Sequence, residues 1–396
     1  MSDRSQHAYI TSSGSFLPGP PVPNDVMEDR LGLVGGKPSR YRESILSANG
    51  IRSRHYAIDE AGNQTHLNQD LAALAISDAL ERRGMPASEL EMLSIGTTCG
   101  DLIMPGFGSM VHGRLAEDHP DLGAVEVLSV AGICASGASA MRHAVNTVRL
   151  GDHRRVVSAA SENPSVMMKA SRFEEESRLA LERDDVATAF EYFNADFLRW
   201  MLSDGAGAVV IEDRPHPTEL SLRVDWIDVN SYAHAFPTCM FWGTSDPRNI
   251  TPGHTWLGEP TAGDAEREGM MVIRQDTRLL AESLLPMGLT ELRRLEDSGR
   301  LDPVAGYDWF LPHLSSYFFK DFLSGGLAEL GLDLPEERWF TNLSTAGNTG
   351  SASIYVMLDE ALRKGLFKEG DRILGFVPES GRFSISFMQF TCVAPD

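Results

Sequence analysis

The chain has 396 residues, 42% of them hydrophobic and 23% charged, enough to bury a large core and more than one small domain holds. Its 35 basic and 56 acidic side chains leave a formal net charge of -21, which repels phosphate backbones and argues against broad nucleic-acid binding. No apolar run is long enough to span a bilayer, and four widely spaced cysteines argue against a zinc site or disulfide framework and for a reducing cytoplasm.

The first segment, Ala8-Tyr9-Ile10-Thr11, predicts a strand, and Asn24 has the features of an N-cap for a short acidic helix. Leu71, Leu74, Ala75, Ala79 and Leu80 at helical spacing predict a helix over 68–83 that stops at Gly84. A strand over 92–97 and a helix over 110–116 follow. The apolar run 125–130 predicts a strand that breaks at Ala131-Gly132, just before Cys134. Ala135, Ser136, Gly137, Ala138, Ser139 and Ala140 then begin a helix, and their small side chains leave the elbow open to a ligand. A thiol at this elbow meets the unpaired N–H groups and positive end of the helix, which favour the thiolate. A strand is expected over 156–160. The helical, charged and aromatic stretch 167–199 reads as an insertion or lid before the chain returns to the sheet over 203–211.

The second half repeats this outline. It predicts a strand over 221–229, irregular chain up to Pro260, one long helix over 264–297 and a strand over 308–311 ending at Pro312-His313. A helix over 317–330 precedes a second small-residue junction at 346–353 and another helix to Lys364. Two closing strands, 372–377 and 383–392, are joined by a turn at Gly381.

The junctions 131–139 and 346–353 sit at corresponding places in two similar halves. If the halves pack about a pseudo-twofold axis, Cys134 and Asn348 face each other across it. His313 also ends an apolar strand, where α/β sheets place functional side chains. Each residue alone fits a structural role: a core cysteine, a satisfied histidine, a helix cap. Together they supply a nucleophile and two donors, a neutral histidine and an amide, for a thioester oxygen that gains negative charge.

Over nearly its whole length the sequence resembles the type III β-ketoacyl synthases of the thiolase superfamily. Gly50-Ile51-Arg52-Ser53-Arg54-His55 is similar to the family's Gly-Ile-x-x-Arg segment, and Ser203-Asp204-Gly205-Ala206-Gly207-Ala208 to its Gly-Asp-Gly-Ala-Gly-Ala strand entry. Cys134, His313 and Asn348 fall on its Cys-His-Asn triad, and Gly381 falls in its C-terminal glycine-containing turn. The resemblance implies an α/β thiolase fold with a duplicated five-layered αβαβα architecture, in halves 1–215 and 216–396, with a helical insertion around 165–200. It further implies acyl transfer from coenzyme A or an acyl carrier protein onto Cys134, an oxyanion hole from the N–H groups of Cys134 and Gly381, no bound cofactor or metal, and a homodimer. Met104 falls where the family reaches into the partner subunit's acyl pocket, with a core methionine as the alternative. Phe236, Phe241, Trp242 and Trp256 are pocket candidates that core packing explains equally well. Arg52, Arg54 and Lys320 are candidates for an acidic carrier protein or a pantetheine phosphate, with a solvated surface charge as the alternative for each.

The departures from that family are informative. Leu314-Ser315-Ser316 follows His313 where chain-initiating synthases have Gln-Ala-Asn, and Pro378-Glu379-Ser380-Gly381-Arg382-Phe383 replaces a richer glycine run. The segment 35–42 and the insertion are also atypical. These features are more similar to the ketosynthases of dialkylresorcinol and stilbene pathways, which join a β-ketoacyl thioester to an α,β-unsaturated one and close a cyclohexanedione ring. That chemistry needs a base for the acidic methylene; His313 is the first candidate and Glu162 the second, with a structural role as the alternative for Glu162. A decarboxylating chain-initiating synthase or an acyltransferase would share the fold. A non-catalytic subunit that binds acyl carrier protein is a different class, and the retained triad counts against it.

Overall fold

In the computed structural model, which describes residues 7–174, 193, 196–332 and 334–396, nine strands form one mixed sheet. In chain order they are β1 (Tyr9–Phe16), β2 (Met92–Thr97), β3 (Glu126–Ala131), β4 (Arg155–Glu162), β5 (Gly205–Glu212), β6 (Ser221–Ser231), β7 (Trp309–Pro312), β8 (Arg372–Glu379) and β9 (Ser384–Val393). Their spatial order is β7-β8-β9-β6-β1-β5-β4-β2-β3. The helices that cover them are α1 (Asn68–Arg83), α2 (Phe107–Asp118), α3 (Ala135–Leu150), α4 (Thr277–Asp297), α5 (Lys320–Glu329) and α6 (Ser353–Arg363).

The β6–β1 pairing rests on Tyr9↔Arg223 and Ile10↔Leu222, and on either side of it the strand pattern repeats. In the first run β1 and β5 are antiparallel, as are β5 and β4, while β4, β2 and β3 are parallel. In the second run β6 and β9 are antiparallel, as are β9 and β8, while β8 and β7 are parallel. The counterpart of β3 is reduced to one parallel bridge, Phe310↔Trp339. The duplication is therefore carried by pairing sense as well as by sequence outline.

Alternation along the strands sorts side chains into three apolar layers. Leu93, Val157 and Ala208 face α1 and α2. Val156, Val209, Val377 and Phe390 face the other way, onto Met141 and Val145 of α3 and Tyr355 and Leu358 of α6. Leu374, Phe376 and Phe387 face α4 and α5 through Leu284, Leu292 and Leu323. The result is helix, sheet, helix, sheet, helix, with α3 and α6 in the middle.

Two sequence expectations need correction. Asn24 caps no helix: its amide donates to Ile51 O and its oxygen accepts from Arg54. The long helix expected over 264–297 is two, because Ala262–Arg267 is closed by Gly269 at φ 68 and the chain runs as a short strand at Arg274–Gln275 before Asp276 caps α4. Most of the expected insertion around 165–200 lies outside the described residues; within them its start forms short 3₁₀ turns at Pro164–Met167 and Ala170–Phe173, and residues 196–199 are helical.

Candidate active site

Cys134 is the N-cap residue of α3, directly after the elbow that follows β3. The small residues beyond it serve a contact between the two halves. A Cβ on Gly137 would stand 2.3 Å from Ser351 O and 3.1 Å from the Tyr355 ring, so only glycine lets the second junction come this close. The Tyr355 hydroxyl ties the same place together, donating to Gly137 O at 2.8 Å.

The second junction is held from below by the two motif segments. Ser203 N–H donates to Asn348 O at 2.8 Å, and His55 N–H donates to Ser203 Oγ at 2.8 Å. Gly347, at φ 73, packs on the Cβ atoms of Ser203 and Arg54. Asn348 Oδ1 accepts from Gly350 N–H at 2.9 Å, which orients the amide and leaves Nδ2 without a partner among the described residues.

Cys134, His313, Asn348 and Glu162 line one small cavity of about 50 Å³. Its other walls are mostly apolar and come from both halves, including Ile133, Met201, Leu202, Met240 and Ile273, with Thr98, Gln275, Ser315 and Ser380 among them. His313 is buried, its Nδ1 lies 2.7 Å from Ser353 Oγ, and its Nε2 is buried without a protein partner. Burial pushes its pKa down to about 4, so the ring is neutral near pH 7. With the Ser353 hydroxyl donating to Nδ1, the Nε2 proton is free to be given to an oxygen in the cavity.

The sulfur differs from the sequence expectation. Burial, then the carboxylates of Glu379 and Glu162, push the Cys134 thiol well above its ordinary value. The expected thiolate is therefore not favoured, and the amides beside Cys134 are engaged by a carboxylate: Glu379 Oε2 accepts from Ile133 N–H and Ala135 N–H, each at 3.2 Å. Glu162 is also deeply buried. Its Oε1 accepts from Thr98 N–H at 3.0 Å, Thr98 Oγ at 2.8 Å, Ser351 N–H at 3.3 Å and Ser351 Oγ. Burial outweighs these bonds and pushes its pKa up to about 7.

Gly381 packs against the elbow, since a Cβ there would meet Ile133 Cδ1 at 2.8 Å. Met104 is 79% exposed on the loop before α2, away from this chain's cavity. Trp242 lines a larger open cleft of about 640 Å³ with Phe241 and Trp256, and that cleft shares Thr98, Ile133, Met167, Met240 and Ile273 with the small cavity. Phe236 lines neither; it packs on Phe383 with ring centroids 5.1 Å apart, which corrects its assignment to the acyl pocket.

Arg54 is 0% exposed and donates to Asn24 Oδ1 and Trp200 O, so it supports the second junction and is inaccessible to a carrier protein. Arg52 is exposed beside Ser344, and Lys320 is ion-paired with Glu336. Glu379 and Ser353 escaped the sequence reading. Glu379 had a signal, as an acidic residue where the resembled family has glycine.

Among the described residues no helix is long and apolar enough to cross a membrane, and no group of three His, Cys, Asp or Glu is placed to hold a metal. Residues 56–216 match the β-ketoacyl synthase N-terminal domain, and residues 304–380 match the 3-oxoacyl-[acyl-carrier-protein] synthase III C-terminal domain. A β-ketoacyl-[acyl-carrier-protein] synthase III from Xanthomonas oryzae is 25% identical over 370 residues, 93% of each chain. The fold is shared with the tetronic acid condensing enzyme AbyA1, at TM-score 0.71 and 19% identity over 97% of this chain and 99% of that one. Xanthomonas campestris OleA, solved with lauric acid and lauroyl-CoA, aligns at TM-score 0.69 and 18% identity over 98% of this chain and 99% of that one. These matches define a thiolase-fold condensing enzyme. Within that fold the chain is type III ketosynthase-like, a homologue of β-ketoacyl-[acyl-carrier-protein] synthase III.

Proposed function

We propose that the protein joins two acyl thioesters through an acyl group carried on Cys134, and that the second thioester is activated by proton removal. The observation that carries this reading is Glu162, a carboxyl with pKa pushed up to about 7 on the wall of the cavity that also holds Cys134, His313 and Asn348. A base is needed for a β-ketoacyl methylene and not for a malonyl thioester, which forms its carbanion by losing carbon dioxide. His313 suits the role less, because at about 4 it holds a proton poorly near pH 7.

In the first half-reaction the Cys134 sulfur gives up its proton and attacks a thioester of coenzyme A or acyl carrier protein. The N–H groups of Cys134 and Gly381 take the developing oxyanion, and the carrier thiolate leaves and takes up a proton as the acyl-Cys134 bond forms. In the second, Glu162 accepts the methylene proton while His313 Nε2–H and the Asn348 amide hold the enolate oxygen. An α,β-unsaturated partner then allows ring closure to a cyclohexanedione, the precursor type of dialkylresorcinols and stilbenes. No resident cofactor takes part. Arg52 is the accessible cation for a carrier protein or pantetheine phosphate, and a homodimer would place Met104 against the partner's pocket. The edge position of β3 and the exposed Leu102, Ile103 and Met104 support that pairing.

The test is incubation with a β-ketoacyl and an enoyl thioester, with products read by mass spectrometry. A cyclic dione supports the reading. Condensation only with malonyl thioesters would favour the chain-initiating alternative, and acylation without carbon–carbon bond formation would favour an acyltransferase.

A further inference from the structure

We infer that Glu379 is the clasp of the nucleophile elbow: it ties the two amides that flank Cys134 and leaves the amide of Cys134 for the substrate oxygen. This rests on reading Cys134 as the acyl carrier.

The geometry is specific. A single oxygen, Oε2, accepts from the amides on both sides of the nucleophile, Ile133 and Ala135, at 3.2 Å each. Between them the Cys134 N–H is not taken by the carboxylate and lies beside its own sulfur. The carboxylate lies between two glycines, and the fit is tight only at Gly381. A Cβ on Gly132 would lie 3.6 Å from Oε2, and one on Gly381 would lie 3.2 Å from Oε1. Glu379 therefore links the two segments expected to form the oxyanion hole.

The duplication supplies an independent argument. β4 and β8 occupy equivalent places in the two runs of strands, each has eight residues, and each ends on a glutamate, Glu162 and Glu379. Glu162 reaches from the first half to Ser351 N–H in the second junction. Glu379 reaches from the second half to the first. Each half thus clasps the elbow of the other. The roles diverge at the cavity, which Glu162 lines and Glu379 does not. Glu379 acts through the elbow, as a positioning residue.

The charges around the sulfur are few. Glu379 acts on it from β8 and Glu162 from β4, while neutral His313 faces the cavity from the end of β7. Among the described residues, the wall positions at 164–167, 197–202 and 240–284 present no titratable side chain there, and no lysine or arginine lines the cavity. Among the described residues nothing cationic offsets the Glu379 carboxylate; burial raises its own pKa, and in its charged form it bears directly on the thiol.

The test follows iodoacetamide alkylation of the Cys134 peptide by mass across pH, with thermal melting as a folding control. Glu379→Gln keeps an oxygen for both amides and removes the charge. Its alkylation rate at pH 8 should rise about tenfold, equivalent to a thiol pKa about one unit lower. Glu379→Asp keeps the charge and shortens the reach, so it should alkylate like the wild type and acylate about tenfold more slowly. An unshifted alkylation profile in folded Glu379→Gln, or wild-type acylation in Glu379→Asp, overturns the inference. Alkylation reads the sulfur without any acyl substrate. Acyl label that persists on Cys134→Ala would instead overturn the nucleophile reading and leave the alkylation result standing.

Discussion

The two elbows share a backbone plan and differ in what they carry. At the first, a thiol stands between two amides tied to a glutamate from the other half. At the second, an amide side chain is oriented by Gly350 N–H, and Ser351 N–H is tied to a glutamate from the first half. Duplication has kept the framework and the carboxylate clasp. It has changed one side chain at each junction, sulfur on one side and a hydrogen-bond donor on the other. A symmetric scaffold has thus become an asymmetric site, with attack from one wall and charge stabilisation from the other.

The comparison breaks most completely at Cys134→Ala, which should abolish covalent acyl labelling in intact-mass measurements. Glu162→Gln should separate the half-reactions: acylation continues, while condensation falls about 10²–10⁴-fold. The wild-type condensation rate should rise with pH through about 7, as the base loses its proton, and the variant should lose that rise. Asn348→Ala should lower condensation about 10²–10³-fold by removing one oxygen donor, read as a fall in kcat at saturating substrate. Gly137→Ala tests the approach of the elbows directly. Its methyl would meet backbone at Ser351, so a loss of about 1–3 kcal/mol in denaturant unfolding is expected. Ser353→Ala should be mildest, costing about 1 kcal/mol in stability or activation through loss of the bond that fixes the His313 ring.

Local pattern carried much of this molecule. The helix over 68–83 and the strand over 92–97 coincide with their expected spans, because apolar spacing and Gly84 act within a few residues. The same locality explains the misses. The thiol was expected to ionise at a helix start, yet the carboxylate that opposes this lies 245 residues further along the chain. Arg54 looked like surface charge in a polar segment, but the second junction folds over it. Phe236 was one of several aromatics in irregular sequence, and only the left-handed turn residue Phe383 decides where it packs. Cys134, His313 and Asn348 were legible as a group because each ends a strand-like run. Glu379 also ends one, but its meaning needed the pairing order that makes β8 the counterpart of β4.

One asymmetry of the sheet reaches beyond the site. Among the described residues β3 leaves a full strand edge unpaired, whereas the equivalent edge at β7 is covered by the segment around Trp339. A sheet open at both sides could add copies without limit and grow into a fibre. With a single open edge, two copies that pair through it have no edge left to offer, and growth ends there.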